Sequence, residues 1–298
     1  MSIKTRLLVV LGGALTMCNG LQLFTAVESL VATPYAKLEK KVASQQIPAV
    51  AAAPAPRKTL AGAGAGGASF DHSAWDALLK AHVRDDGTVD YGGLERDGDA
   101  FRGYLGALAA ADVDALGDRE QLALHLNAYN ALCVAHVLPV HGTLKSILDL
   151  SEKDTPIWDK VAGEVGGVAV SLNDIEHERL RLRWDEPELH ACIVCASTSC
   201  PSLARFAFAG DGLERDMRAR ADVWLRDGSK GCAAERGGAV ARLSRICLWF
   251  EDDFDTRGGA AAFVRDHVDG GSAAARALDG GAALRYFPYD WSLNKVAK

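Results

Sequence analysis

Two amides set into an apolar helix constrain this chain more than any other feature. Between Asp118 and Val137, Leu122, Leu126, Tyr129 and Cys133 recur at helical spacing, and Ala123, Asn127, Asn130 and Val134 fill the neighbouring face. Asp118 followed by Gln121 makes a capping-box-like start, and Pro139 and Gly142 close the run, the longest predicted element of the chain. An unpaired buried amide costs roughly 1–3 kcal/mol, so whatever packs on this helix has to offer partners to Asn127 and Asn130. Either the two side chains tie down a loop or strand, or they line a cleft and orient a base or a substrate carbonyl. Glu120, one heptad before Asn127, is a further cleft candidate or a solvated first-turn acid that complements the helix dipole.

A second stretch, His190-Ala-Cys-Ile-Val-Cys-Ala-Ser-Thr-Ser-Cys200-Pro201, concentrates reactive side chains. Leu189 to Ala196 is a short apolar, partly β-branched run, the pattern of a strand buried on both faces. Ser197-Thr-Ser is turn-like, and Pro201 suits the first position of a new helix. That reading places Cys200 at a helix N-cap, where unpaired backbone donors and the dipole bias a thiol toward thiolate.

Composition limits the chemistry from outside. The 298 residues carry a net charge of -6, which argues against a nucleic-acid footprint, and 49% hydrophobic with 24% charged residues is ordinary for a globular chain. Seven cysteines are an odd number and do not read as a complete disulfide framework. Residues 1–30 read as a signal peptide or membrane anchor: Lys4 and Arg6 precede the apolar run Leu7 to Met17. Asn19 and Gln22 weaken a spanning helix. Leu15-Thr-Met-Cys18 resembles a lipoprotein cleavage site, with Met17 where a small residue is expected. These features predict export to the periplasm or envelope, with membrane contact only through this segment. Residues 31–68, rich in Ala, Pro and Gly, read as a disordered linker. The formal G-x-G-x-x-G at Gly62–Gly67 has no preceding strand, so it does not read as a dinucleotide site.

Residues 69–298 read as one domain. Trp75, Leu78, Leu79 and Val83 predict a helix after Asp71 or Ser73, and Phe101 to Ala110 another. Ser171-Leu-Asn-Asp174 is a capping signature for a helix through Leu180, on which His177 shares the inward face with Leu180 and Trp184. Leu213, Met217, Val223, Trp224 and Leu225 mark an amphipathic helix. Asp227–Gly238 reads as a polar turn, Val240–Leu243 as extended, and Ile246 to Phe254 as an apolar cluster. The fold class expected is α/β or α+β: one helix-rich domain with a small central sheet carrying His190–Ala196.

Five motifs occur in one order: Asp86-Gly-Thr-Val-Asp-Tyr91, Leu126-Asn-Ala-Tyr-Asn130, Leu172-Asn-Asp-Ile-Glu-His177, His190…Cys195-Ala-Ser-Thr-Ser-Cys-Pro201 and Tyr289-Asp-Trp-Ser-Leu-Asn294. Together they resemble the domain-of-unknown-function 547 family over roughly residues 70–298. The resemblance implies a shared fold and shared positions without a settled activity, and its members are often exported bacterial proteins. The chain departs from the family pattern at Leu124-His125, where an aromatic pair is usual. The site is similar, by analogy, to papain-like and transglutaminase-like thiol enzymes.

A cysteine with pKa about 8.5 needs roughly 2.7 kcal/mol to shift by about two units. A helix N-terminus supplies about 0.3–1 kcal/mol and at most about 2. A thiolate at Cys200 therefore requires the imidazole of His177 or His190 within hydrogen-bond reach, with Glu120, Asn127 or Asn130 fixing the tautomer. Tyr129, Cys195, Ser197 and Ser199 are expected to contact the substrate. The expected activity is a thiol hydrolase or acyl transferase on a peptide or amide, without cofactor. Zn²⁺ at His190, Cys192, Cys195 and Cys200 is disfavoured, because Cys192 and Cys195 point to opposite faces of a strand. A Cys192–Cys195 redox pair meets the same objection. Cys133 and Cys247 read as core fillers. The alternative from another class is a catalytically silent module that binds peptide or protein in the same cleft.

Overall fold

A computed structural model describes residues 56–64 and 66–297; the expected leader and residues 31–55 of the expected linker lie outside the described residues. Helices α1 (Ser73–His82), α2 (Tyr91–Arg96) and α3 (Gly98–Ala109) lead to α4 (Asp118–Val137), at the bounds its spacing predicts. Every residue of α4 from Leu122 to Val134 is buried, as a helix apolar on adjacent faces requires. Around it pack α3, the antiparallel hairpin β1 (Val161–Val165) and β2 (Val168–Ser171), and a π-helical segment, Asp174–Arg181. The capping signature before that segment forms in full. Ser171 Oγ accepts from the Asp174 N–H at 3.1 Å, and Asp174 Oδ2 accepts from the Ser171 N–H at 2.7 Å.

Beyond the loop that carries the cysteines come α5 (Leu213–Arg226), β3 (Cys232–Glu235), β4 (Val240–Leu243), α6 (Ile246–Trp249), α7 (Ala260–His267), α8 (Ala273–Asp279) and β5 (Ala283–Tyr286). β3 and β5 flank β4, the first antiparallel and the second parallel. The fold is thus the expected mixture of many helices with little sheet, but the sheet is divided into a two-stranded and a three-stranded piece. β3 arises inside the segment expected to be a polar turn; it pairs along its whole length with β4.

Three expectations require correction. The run Leu189–Ala196 is not a strand: Pro187–Ala191 is a 3₁₀ turn, and residues 192–196 are irregular. The Leu189 carbonyl accepts the N–H groups of Cys192 and Ile193, and Asn130 takes the Cys192 carbonyl and the Val194 N–H, so no ladder is left to form. Its apolar character reflects burial around a site, not a place in a sheet. Secondly, no helix starts at Pro201; residues 201–210 are irregular, and α5 begins only after Gly212, at φ +73°. Thirdly, the fold starts before residue 69. Leu60 is fully buried, and Lys58 exchanges backbone hydrogen bonds with Arg183 and Asp185. Gly67 lies against Gly117 so closely that a Cβ there would sit 2.2 Å from the Gly117 nitrogen. The glycine-rich stretch is partly a packing device.

Candidate functional site: a buried dithiol beside a histidine–aspartate pair

The two asparagines of α4 each clasp a passing backbone. Asn127 Nδ2 donates to the Phe208 carbonyl at 2.7 Å, while its Oδ1 accepts the Phe208 N–H at 3.0 Å. Asn130 Nδ2 donates to the Cys192 carbonyl at 2.8 Å, and its Oδ1 accepts the Val194 N–H at 2.9 Å. Glu120 Oε1 accepts the Gly210 N–H at 3.1 Å. One helix thereby fixes both flanks of the cysteine loop, through contacts that look alike in type and differ only in where along the loop they act.

The C-terminal segment closes the other side. Ser197 pairs with Leu293; Thr198 N–H donates to the Ser292 carbonyl at 2.8 Å, and the Asn294 N–H to the Ala196 carbonyl at 3.0 Å. Ser199 Oγ accepts the Asp290 N–H at 2.8 Å. Asn294 also joins the first motif, accepting from the Tyr91 hydroxyl at 2.7 Å. Between Cys195 and Ser197 the chain passes through Ala196 at φ +58°, left-handed backbone that costs a non-glycine residue about 1 kcal/mol or more.

These constraints enclose a cavity of about 30 Å³, room for one or two waters. Tyr129, Glu176, His190, Cys195, Cys200 and Tyr289 are among its walls, with Trp249, Phe250 and Trp291 supplying apolar surface. Of the expected site residues, the cavity therefore gathers Cys200, His190, Tyr129 and Cys195. Ser197 touches it through Cys195 and Tyr289. Glu120, Asn127, Asn130 and Ser199 bind backbone. His177 stands apart: its Nδ1 accepts from Arg181 Nη1 at 2.7 Å, and burial followed by that guanidinium lowers its pKa to about 3.

The two thiols differ in surroundings. Ser197 Oγ lies 3.1 Å and the Tyr289 hydroxyl 3.3 Å from Cys195 Sγ, and the Cys200 thiol adds a third hydrogen-bonding group. Led by the Cys200 contact, these groups outweigh burial and lower the Cys195 pKa. Cys200 Sγ accepts the Cys195 N–H at 3.2 Å, but burial and the neighbouring Cys195 push its pKa well up. Neither the helix N-terminus nor the imidazole hydrogen bond expected at Cys200 is formed. The sulfur favoured as thiolate is five residues earlier.

His190 Nε2 is 2.8 Å from Asp253 Oδ2, and its ring stacks on Phe250 at 4.5 Å. The aspartate fixes Nε2 as the protonated nitrogen and leaves Nδ1 as the acceptor. Burial lowers the His190 pKa against the opposing pull of Asp253, so the ring is neutral. Burial alone would raise Asp253, but His190 and Arg181, whose Nε is 2.5 Å away, hold it well below the usual carboxylate range. Glu176 is the second acid. Burial raises its pKa to about 7, and Tyr129 donates to its Oε2 at 3.2 Å.

Glu176, Asp253, Arg181 and Tyr289 carry this site without having been singled out in the sequence. Glu176 and Tyr289 lie within quoted motifs, one residue before His177 and at the head of the last motif. Asp253 had one local signal of burial, an acid three residues after Phe250 and hence on the face of that ring.

Residues 113–225 match the family model described as "Protein of unknown function, DUF547". The chain carries a DUF547 domain. No curated protein and no solved structure matches it at a significant level. The DUF547 match runs from just before α4 to the end of α5 and includes Tyr129, Glu176, His190, Cys195 and Cys200. Asp253 and Tyr289 are contributed from beyond the matched DUF547 stretch.

Proposed function

We propose that the protein is a thiol-dependent hydrolase or acyl transferase acting on a peptide or amide, with Cys195 as nucleophile and His190 as base. The observation that carries this reading is that Cys195 and the Asp253-held imidazole line one cavity. Cys195 attacks the carbonyl carbon. Tyr289 and Ser197, released from the sulfur, turn their hydroxyls to the developing oxyanion. Glu176, neutral up to about pH 7, delivers the proton to the leaving amine. His190 Nδ1 then takes a proton from the water that releases the acyl group. The cavity admits little beyond the reacting carbonyl and a water, so most of the substrate lies outside it. Residues 1–30, with Lys4 and Arg6 ahead of an apolar run, support export and work in the cell envelope.

The same small cavity favours the second reading, a silent module that binds peptide or protein over the aromatic wall. Iodoacetamide labelling across pH, combined with acylation by an activated thioester, separates the two. The enzyme reading expects Cys195 to label first below pH 7, together with an acyl adduct that is absent in Cys195→Ser and does not turn over in His190→Ala. Slow, uniform labelling of all thiols with no adduct leaves the binding module.

A further inference from the structure

We infer that Cys195 and Cys200 form a redox-active pair that closes to a disulfide by exchange with a small external disulfide. The geometry is that of two thiols on one tight loop. The Cys200 N–H bonds back to the Ser197 carbonyl at 3.2 Å, which folds residue 200 over residue 195. Cys200 Sγ then lies 3.2 Å from the Cys195 nitrogen, and both residues stand on the wall of one cavity. The third cysteine of the stretch is turned away. Cys192 Sγ donates to the Glu188 carbonyl at 3.3 Å, and burial raises its pKa. The pair expected from sequence spacing, Cys192–Cys195, is thus replaced by one spaced five residues apart.

The asymmetry of the pair suits exchange chemistry, in which one thiolate attacks and a second thiol resolves. Cys195 supplies the thiolate and keeps 8% of its surface open. It attacks one sulfur of the external disulfide, breaking that S–S bond and expelling a thiolate. Cys200, deprotonated by that departing thiolate, attacks Cys195 Sγ of the mixed disulfide and expels the second external group as a thiolate. The two protein thiols are oxidised, and one external disulfide is reduced to one thiol and one thiolate. The proton on that thiol is the one Cys200 gave up, so atoms, charge and electrons balance. Closure removes the Cys195 nucleophile and the S–H that supports it. The inference shares Cys195 with the proposed function but does not require hydrolysis.

The test incubates the full chain with oxidised glutathione, then denatures it, alkylates it and digests it with trypsin. Cys192, Cys195 and Cys200 all fall in the peptide 184–205. The expected product is that peptide with one alkyl group, on Cys192, and two hydrogens fewer. Prior reduction should restore three alkyl groups. Cys200→Ser should instead accumulate glutathione on Cys195. Three alkyl groups after oxidation, a mixed disulfide that persists in the unaltered chain, or a Cys192–Cys195 bond would each overturn the inference. A closed pair in a protein that never acylates would leave it standing while sinking the hydrolase.

Discussion

At the scale of single residues the site is decided by which sulfur receives donors. Cys195 has two hydroxyls and a thiol around it, whereas Cys200 has one backbone N–H and a neighbour that competes for the charge. A hydrogen bond to a charged group contributes about 1.5–3 kcal/mol. Tyr289→Phe should therefore raise the alkylation pKa of Cys195 by about 1–2 units, read from the rate of iodoacetamide labelling against pH. Glu176 makes a separate, testable mark on stability. Its folded pKa, about 7, stands above the ordinary 4.5. As pH rises through that window the unfolded chain releases the proton first, so stability falls from about pH 4.5 to about pH 7 and is level above. The integrated effect is about 3 kcal/mol at most. Denaturant midpoints of Glu176→Gln should lack this fall, and an unchanged profile would mean that the carboxyl is solvated.

At the scale of elements, α4 organises the cysteine loop through side-chain clasps on backbone. Asn130→Ala strands the Cys192 carbonyl and the Val194 N–H and should cost about 2–5 kcal/mol in chemical denaturation. Asn130→Asp keeps the acceptor, loses the donor and should fall between the two. Ala196 tests the same loop from within. A β-branched side chain is poorly tolerated at its φ of +58°, so Ala196→Val should lose about 1–3 kcal/mol. These elements also mark how far the sequence was legible. Helical spacing with the breakers Pro139 and Gly142 located α4, although Gly117 is its N-cap and the capping box read at Asp118 does not form; the Ser171–Asp174 signature located the helix that carries Glu176. Leu189–Ala196 misled because burial on all sides has the same apolar signature in a strand and in a loop gripped by asparagines. Cys200-Pro201 misled because Pro permits a helix start without compelling one. Asp253, some sixty residues from His190 in sequence, belongs to a tertiary contact that no local spacing encodes.

At the scale of the whole molecule, buried histidines set the response to acid. Burial lowers the pKa of His72 and His125 to about 4 and that of His177 to about 3. The unfolded chain protonates these rings near the ordinary 6.5, while the folded chain refuses the protons, so stability drops as pH falls below about 6.5. Each of these rings contributes at most roughly 2 kcal/mol by about pH 5; His136 and His190 shift in the same direction, and the raised carboxyls of Glu176 and Glu186 oppose them. Unfolding midpoints measured at pH 7 and pH 5 should show the net loss. His125→Phe, which restores an aromatic ring beside the asparagines, should recover part of it. The C-terminal segment adds a consequence in time. Tyr289 follows Cys195 by ninety-four positions, so the phenol that tunes the sulfur leaves the ribosome long after the sulfur does. A nascent chain halted before that point exposes an untuned, ordinary thiol, and the reactive centre comes into being only after ninety-four further residues have been joined.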